Sequence, residues 1–364
     1  MISKKVEQTK NKIEFINPDE ELKSVIPSEE KAESTGMSGL NIRICDAAQF
    51  EMRVNSETES DRKAMIRSLA KVTHLKRLPP IPRPVFEEIG RIGDEQPNFH
   101  KVTDLILDTL YAQCLSGMPA TLPPILMYGA AGVGKTRYVK RITKALGLVY
   151  CDIPLSGNSD GFKVTGLSRY WSSAGPGMVA STLADSEVVN PIFMLDEIDK
   201  SHKSQNGDPL SRMLLLLEKE TSAVFKDDFI DVPIDASYAS YFATANCIED
   251  LPPPLLSRFV CVHIEPLDYQ GRCKLVKNVY GELREQEGYG AFFSETLPQE
   301  LVNILADCDW LSGRELKREM MQSMQRACRE APIGKQPDNS LSLKSAYLHL
   351  PEKTKVGRRM GFVN

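Results

Sequence analysis

No run in the 364 residues approaches the ~18 to 20 consecutive apolar positions of a membrane-spanning helix, so a helical span is excluded. The opening MISKKVEQTKNKIEF has no apolar core of the kind a secretory signal needs. Cysteine pairs are also missing. Eight cysteines lie scattered, with no C-x-x-C and no neighbouring histidines. That pattern argues against a metal site and a disulfide framework, and for mostly buried free thiols in a reducing cytoplasm. There is no excess of one charge either. Forty-five basic residues stand against forty-nine acidic ones, a net of -4, which gives no electrostatic case for direct nucleic-acid binding. What is present is ordinary for a soluble chain of two or three folding units: 41% hydrophobic and 26% charged residues.

Residues 1 to about 40 are rich in Lys, Glu and Ser with little periodicity and are expected to form a mobile arm. Leu40 to Val54 hints at one short strand or helix. The prolines of LPPIPRPVF, Leu78 to Phe86, oppose helix and favour an extended linker, where a domain boundary is expected. The expected division is 1–83, an N-terminal region; 84–268, an α/β nucleotide-binding domain; 269–336, a helical lid; and 337–364, a basic tail that includes Arg358 and Arg359.

Within 84–268 short apolar runs alternate with helical periodicity. Strands are predicted at Pro124 to Tyr128, Leu148 to Ile153, Ile192 to Leu195, Tyr241 to Thr244 and Val260 to Ile264. Helices are predicted at His100 to Cys114 and Thr136 to Leu146, with Gly147 as a stop. Buried runs alternating with helices predict a five-stranded parallel sheet covered on both faces. Beyond Leu267 only helical segments follow, at about Tyr269 to Glu287, Pro298 to Ala306 and Ser312 to Glu330. The last opens with Ser312-x-x-Glu315, a capping box. Trp310 is expected to pack in this helical part, the Leu214 to Leu217 run to sit in a buried helix, and His202 to be a solvated loop residue.

Two motifs carry chemistry. GAAGVGKT, from Gly129 through Ala130, Ala131, Gly132, Val133 and Gly134 to Lys135 and Thr136, matches G-x-x-x-x-G-K-[ST] between a strand and a helix. Its glycines let the backbone wrap phosphates with exposed N–H groups. Lys135 would reach the β- and γ-phosphates of ATP, and the Thr136 hydroxyl would ligate Mg2+. In IFMLDEIDK, four apolar residues run into Asp196 and Glu197, which sets both carboxylates at the carboxyl end of a buried strand. Asp196 would hold Mg2+, and Glu197 would polarise the attacking water.

The set GAAGVGKT, LDEID, FATAN, LLSR and SGRELKR resembles an AAA+ ATPase module, and specifically the ATPase part of Lon proteases, over roughly Phe99 to Gln325. The resemblance implies a P-loop NTPase fold with a small α-helical lid. It implies that Asn246 is the sensor-1 residue orienting water, Arg258 an arginine finger reaching a neighbouring subunit's nucleotide, and Arg314 the sensor-2 residue of the lid. A finger acting in trans implies a homo-oligomeric ring, a hexamer. Lon proteins follow their lid with a peptidase, and the roughly thirty residues beyond this lid are expected to be too few for one. A separate protease, or remodelling without degradation, then becomes the expectation. A nucleotide-dependent assembly switch or scaffold acting on DNA-bound partners is the alternative.

SRYWSSAGPG, residues 168–177, sets two large aromatics among Ser, Gly and Pro. The resemblance places this stretch where ring ATPases project a pore loop, with Tyr170 and Trp171 gripping substrate. Ser172 stands where Lon proteins carry an aliphatic residue.

Overall fold

The computed structural model describes residues 39–155, 162–167, 174–201, 209–286, 288–330 and 339–351. Tyr170, Trp171, His202, Arg358 and Arg359 lie outside them, as do residues 1–38.

The described chain opens with strand β1 (Asn41–Arg43), helices α1 (Ala47–Ser56) and α2 (Ser60–Ser68), and strand β2 (Leu75–Arg77). Leu40 to Val54 therefore holds both a strand and a helix. Helices α3 (Pro84–Glu95) and α4 (His100–Leu115) follow. Strand β3 (Ile125–Tyr128), helix α5 (Lys135–Leu146) and strand β4 (Tyr150–Pro154) come next, then helix α6 (Met178–Asp185) and strand β5 (Ile192–Asp196). Helix α7 (Pro209–Leu217), the small hairpin β6 (Phe225–Lys226) and β7 (Pro233–Ile234), and strands β8 (Ser240–Ala245) and β9 (Val260–His263) complete the α/β part.

The central sheet has the order β4-β5-β8-β3-β9 and every pairing is parallel. Its three inner strands, β5, β8 and β3, are apolar runs buried on both faces, while the edge strands β4 and β9 are mostly half-buried or exposed; successive residues feed opposite layers. Leu126, Phe193, Leu195, Tyr241 and Ala243 join one core; Ile125, Met127, Ile192, Met194 and Phe242 join the other. Helices α3, α4 and α5 cover the second layer through Ile89, Ile106, Val139 and Ile142. At the end of α5 Gly147 takes φ 65°; its N–H bonds Lys144 O at 3.1 Å and Leu148 N–H bonds Thr143 O at 3.2 Å, a Schellman closure.

The other layer differs from the expected division. Phe50, Val54, Ile66, Val72 and Leu78 pack in one core with Leu183, Phe193 and Tyr241. The backbone joins too: Arg77 N–H donates to Glu187 O at 2.9 Å, and Asp235 N–H donates to Ile44 O at 2.7 Å. Lys76, buried, donates to Ala184 O at 3.1 Å and Ser186 O at 2.5 Å, where it closes the carboxyl end of α6. Packing thus runs across position 83. The proline run is not wholly extended either, because Pro84 starts α3 at the first helical position, where a missing N–H costs nothing.

Beyond β9 lies the lid: helices α8 (Tyr269–Gln286), α9 (Gln299–Asp307) and α10 (Gly313–Glu330), with a core around Val279, Leu283, Leu301, Leu316 and Met320. The capping box closes as expected, Ser312 N–H donating to Glu315 Oε2 at 2.8 Å and Glu315 N–H to Ser312 Oγ at 3.3 Å. Residues 339–351, expected as part of a tail, pack here instead: Leu343 and Tyr347 enter the lid core. Trp310 remains 38% exposed, and Leu215 of the predicted buried helix is 55% exposed. Only Cys45 and Cys308 are buried, whereas Cys114, Cys261 and Cys328 are exposed, so burial does not account for most of the thiols. Among the described residues no helix is long and apolar enough to cross a membrane.

Candidate nucleotide site

Strand order alone assembles the site. β5, β8 and β3 are neighbours, so residues that follow their carboxyl ends meet at one rim of the sheet. The phosphate loop follows β3, Asn246 follows β8, and Asp196 ends β5. Gly129 N–H donates to Ala245 O at 3.2 Å, tying the start of the loop to the strand that delivers Asn246.

The loop's glycines have specific reasons. Gly129, Gly132 and Gly134 take φ of 144°, 80° and 101°, conformations that disfavour any side chain. A Cβ on Gly129 would also come within 2.4 Å of Ile264 O. One on Gly132 would come within 2.8 Å of Ser312 Cβ, so the loop touches the start of α10. That contact brings the first turn of α10, and with it the exposed Arg314, to the edge of the phosphate loop.

Lys135 is buried, and its ammonium donates to Gly129 O at 2.7 Å and Ala130 O at 3.1 Å. Burial lowers its pKa, while Asp199, Asp196 and Glu197 pull it back up. A phosphate arriving there would return the anionic partner that burial denies the ammonium.

Thr136 Oγ1 lies 3.3 Å from both carboxylate oxygens of Asp196. A hydroxyl and a carboxylate side by side form an all-oxygen donor set suited to Mg2+. Thr244 Oγ1 donates to Asp196 Oδ1 and accepts from Glu197 N–H at 2.9 Å. One buried hydroxyl thereby orients the two acidic residues together. Glu197 itself sits at φ 54°, a left-handed conformation costly for a non-glycine residue, with its Oε1 2.6 Å from Lys200 Nζ. Asn246 N–H donates to Asp199 Oδ2 at 3.0 Å, and the other oxygen of Asp199 is buried without a partner.

Thr244, Asp199 and Ser312 were not legible as site residues. Thr244 carried the clearest signal, a hydroxyl inside an otherwise apolar strand; Asp199 is the second Asp of LDEID. Arg258 stands apart from this cluster within its own chain. It donates from Nη1 to Pro254 O at 2.7 Å and pairs through Nη2 with Glu218 Oε1 at 2.5 Å.

Residues 125–265 match the model of the ATPase family associated with various cellular activities (AAA). These residues form an AAA ATPase domain. Lon proteases are among the curated proteins similar to this chain. That of Lachnoclostridium phytofermentans is 30% identical over 254 residues, 69% of this chain and 31% of the relative. That of Clostridium beijerinckii is 35% identical over 194 residues, 53% of this chain and 24% of the relative. The chain thus spans about a quarter to a third of the length of these relatives. Among solved structures, a Saccharomyces cerevisiae Hsp104:casein complex aligns with TM-score 0.58 at 16% identity, covering 78% of this chain and 59% of that one. That likeness establishes the fold: a parallel five-stranded sheet flanked by helices, with a helical part after it. The module is an AAA+ ATPase module that resembles the ATPase part of Lon.

Proposed function

We propose that this chain is an ATP-hydrolysing motor that works as a homo-oligomeric ring, a hexamer, and unfolds or remodels protein substrates. The observation that carries hydrolysis is the pairing of Thr136 with Asp196 beside a Glu197 whose backbone is fixed by Thr244. Gly129 to Thr136 wraps the phosphates, and Lys135 exchanges the loop's own carbonyls for phosphate oxygens. Thr136 and Asp196 would hold Mg2+, which would supply charge neutralisation for the phosphates. Glu197 takes the proton of the attacking water, and Asn246, anchored on Asp199, orients that water. Arg258 acts on a neighbouring subunit's nucleotide, a contribution of roughly 10³ to 10⁵ in rate where fingers occur. Arg314 closes from the lid.

Glu197→Gln tests the reading. It should abolish turnover while ATP stays bound and the oligomer grows more stable on sedimentation; undiminished hydrolysis would take the catalytic role from Glu197. Affinity capture with the same variant then reports the bound partner, whether a protein substrate, a separate protease or a DNA-bound assembly.

A grip on substrate is proposed for Tyr170 and Trp171. What supports it lies in the described flanks. Leu167 N–H donates to Gly175 O at 2.8 Å, which clasps the two ends of the stretch. Gly177 N–H donates at 2.7 Å to the buried Asp227, which also accepts from the amides of Phe229 and Ile230. Burial outweighs those three amides and pushes the Asp227 carboxyl up to about 6. Trp171→Ala should cut the extra ATP turnover elicited by an unfolded protein; a variant that responds to such a protein as fully as the parent would remove the grip.

A further inference from the structure

Arg258 is held at two points by its own chain, and the way it is held bears on what it can do. Its backbone follows the short helix Pro253–Leu256, with its N–H on Leu255 O at 3.1 Å, and its neighbour Phe259 is buried. Pro254 O takes one Nη1 hydrogen at 2.7 Å and Glu218 Oε1 lies 2.5 Å from Nη2. Nε is buried without a partner. A guanidinium has five N–H hydrogens in a rigid planar fork. Two are engaged, so one hydrogen remains on each terminal nitrogen. The side chain is one-quarter exposed, so that fork is fixed yet reachable from outside the subunit.

Glu218 is placed for this task by its own backbone. It lies in extended conformation between α7 and the short helix Lys219–Ser222, at the N-cap position of that helix. An N-cap carboxylate ordinarily bonds the helix amides. Here the side chain makes no cap bond, while the backbone O takes the ordinary first helical bond from Ser222 N–H at 2.9 Å. The side chain is free to reach across to Arg258. A partly exposed ion pair adds little to fold stability. Preorganising a charged fork, by contrast, spares the reorganisation that a mobile arginine would pay at each turnover.

We propose that Glu218 is the positioning residue for Arg258, fixing its guanidinium with the Pro254 carbonyl so that the two remaining terminal N–H groups meet the phosphate of a neighbouring subunit's nucleotide. The inference rests on the finger reading of Arg258 and adds the residue that orients it.

The test compares Glu218→Ala, Glu218→Gln, Arg258→Ala and the Glu218→Ala/Arg258→Ala pair in the full chain, by steady-state ATPase and sedimentation. Glu218→Ala should lower kcat by about tenfold to a hundredfold, the scale on which small misplacements act, and leave KM for ATP within about twofold. Glu218→Gln, which keeps length and one acceptor, should retain more activity than Glu218→Ala. The double variant should be no slower than Arg258→Ala alone, because the two residues act as a unit. Glu218→Ala turning over at or above the parent rate beside a slow Arg258→Ala would overturn the proposal, with faster turnover marking the pair as a brake. Loss of assembly in Glu218→Ala but not in Arg258→Ala would overturn it too, making Glu218 an interface residue. Full turnover in Arg258→Ala would remove the finger reading underneath, a failure distinct from the other two.

Discussion

The α/β body and the lid bury themselves by different means. In the body, the central strands of four to six residues alternate apolar side chains between two layers and bury few polar ones, Ser240 and Thr244, while the buried charges of Lys76, Lys135 and Asp227 lie outside the central sheet. The lid has three main helices and a smaller interior, and it is knotted by charged side chains. Arg272 donates to Ala306 O at 2.8 Å and also reaches Cys308 O, closing the carboxyl end of α9. Glu319, buried, accepts from Arg326 at 3.0 Å and from His349 N–H at 2.6 Å. A small unit exposes a larger share of its surface, so these closures add to a smaller buried area in the lid than in the body. Between the two, few contacts are made. Glu282 of α8, paired within the lid to Lys317 at 2.9 Å, takes Arg137 of α5 at 2.6 Å; Asn278 donates to Glu95 O at 3.4 Å, and Gly132 lies against Ser312. A firm lid joined by a thin polar seam is suited to move as one piece over the phosphate loop.

The largest effect should come from the body. Phe242→Ala removes a fully buried ring from the central strand β8 and should cost about 3–5 kcal/mol in denaturant unfolding. A loss below about 1 kcal/mol would mean that the sheet tolerates a cavity and the contrast with the lid is false. Arg272→Ala should cost about 2–3 kcal/mol, confined to the lid. Hydrogen exchange should then quicken over residues 301–311 and stay unchanged over 240–245; equal quickening in both would merge the two units.

Glu282→Gln cuts the seam without touching either core. Its effect on stability should be about 1 kcal/mol or less, while ATP affinity falls a few-fold, as isothermal titration would show. Unaltered ATP binding would uncouple the seam from closure. Smallest is the effect of acid. Burial works to raise the Glu282 carboxyl, but Lys317 and Arg137 overcome it and hold it below the ordinary 4.5. A lowered carboxyl contributes stability above that value and loses it as pH falls through the folded-state value. The parent should therefore lose its advantage over Glu282→Gln below about pH 4.5, and a difference between the two that stays flat with pH would contradict the pairing.

Sequence reading reached whatever is written locally. Five apolar runs became the five strands, within two residues at each end; the three inner ones, buried on both faces, must be continuously apolar. The phosphate loop and the Asp196–Glu197 pair were legible for the same reason: their chemistry depends on neighbours along the chain. The partners that hold those residues come from other elements. Thr244 sits on β8, Asp199 precedes the Asn246 it holds by 47 residues, and Glu218 lies some forty residues before Arg258, so no spacing rule links them. The segment from Asn41 to Leu78 was misread as separate because its apolar positions are sparse and its burial depends on the sheet face that receives it.

That docking has a practical side for anyone cutting the chain. A fragment trimmed to the family-matched residues 125–265, or begun at the prolines, would bare the sheet layer built on Phe193, Leu195 and Tyr241. Such a fragment would be sticky in solution, and residues 39–83 added back as a separate peptide should reclothe it. The stretch ahead of the family match is thus part of the core of the one beside it.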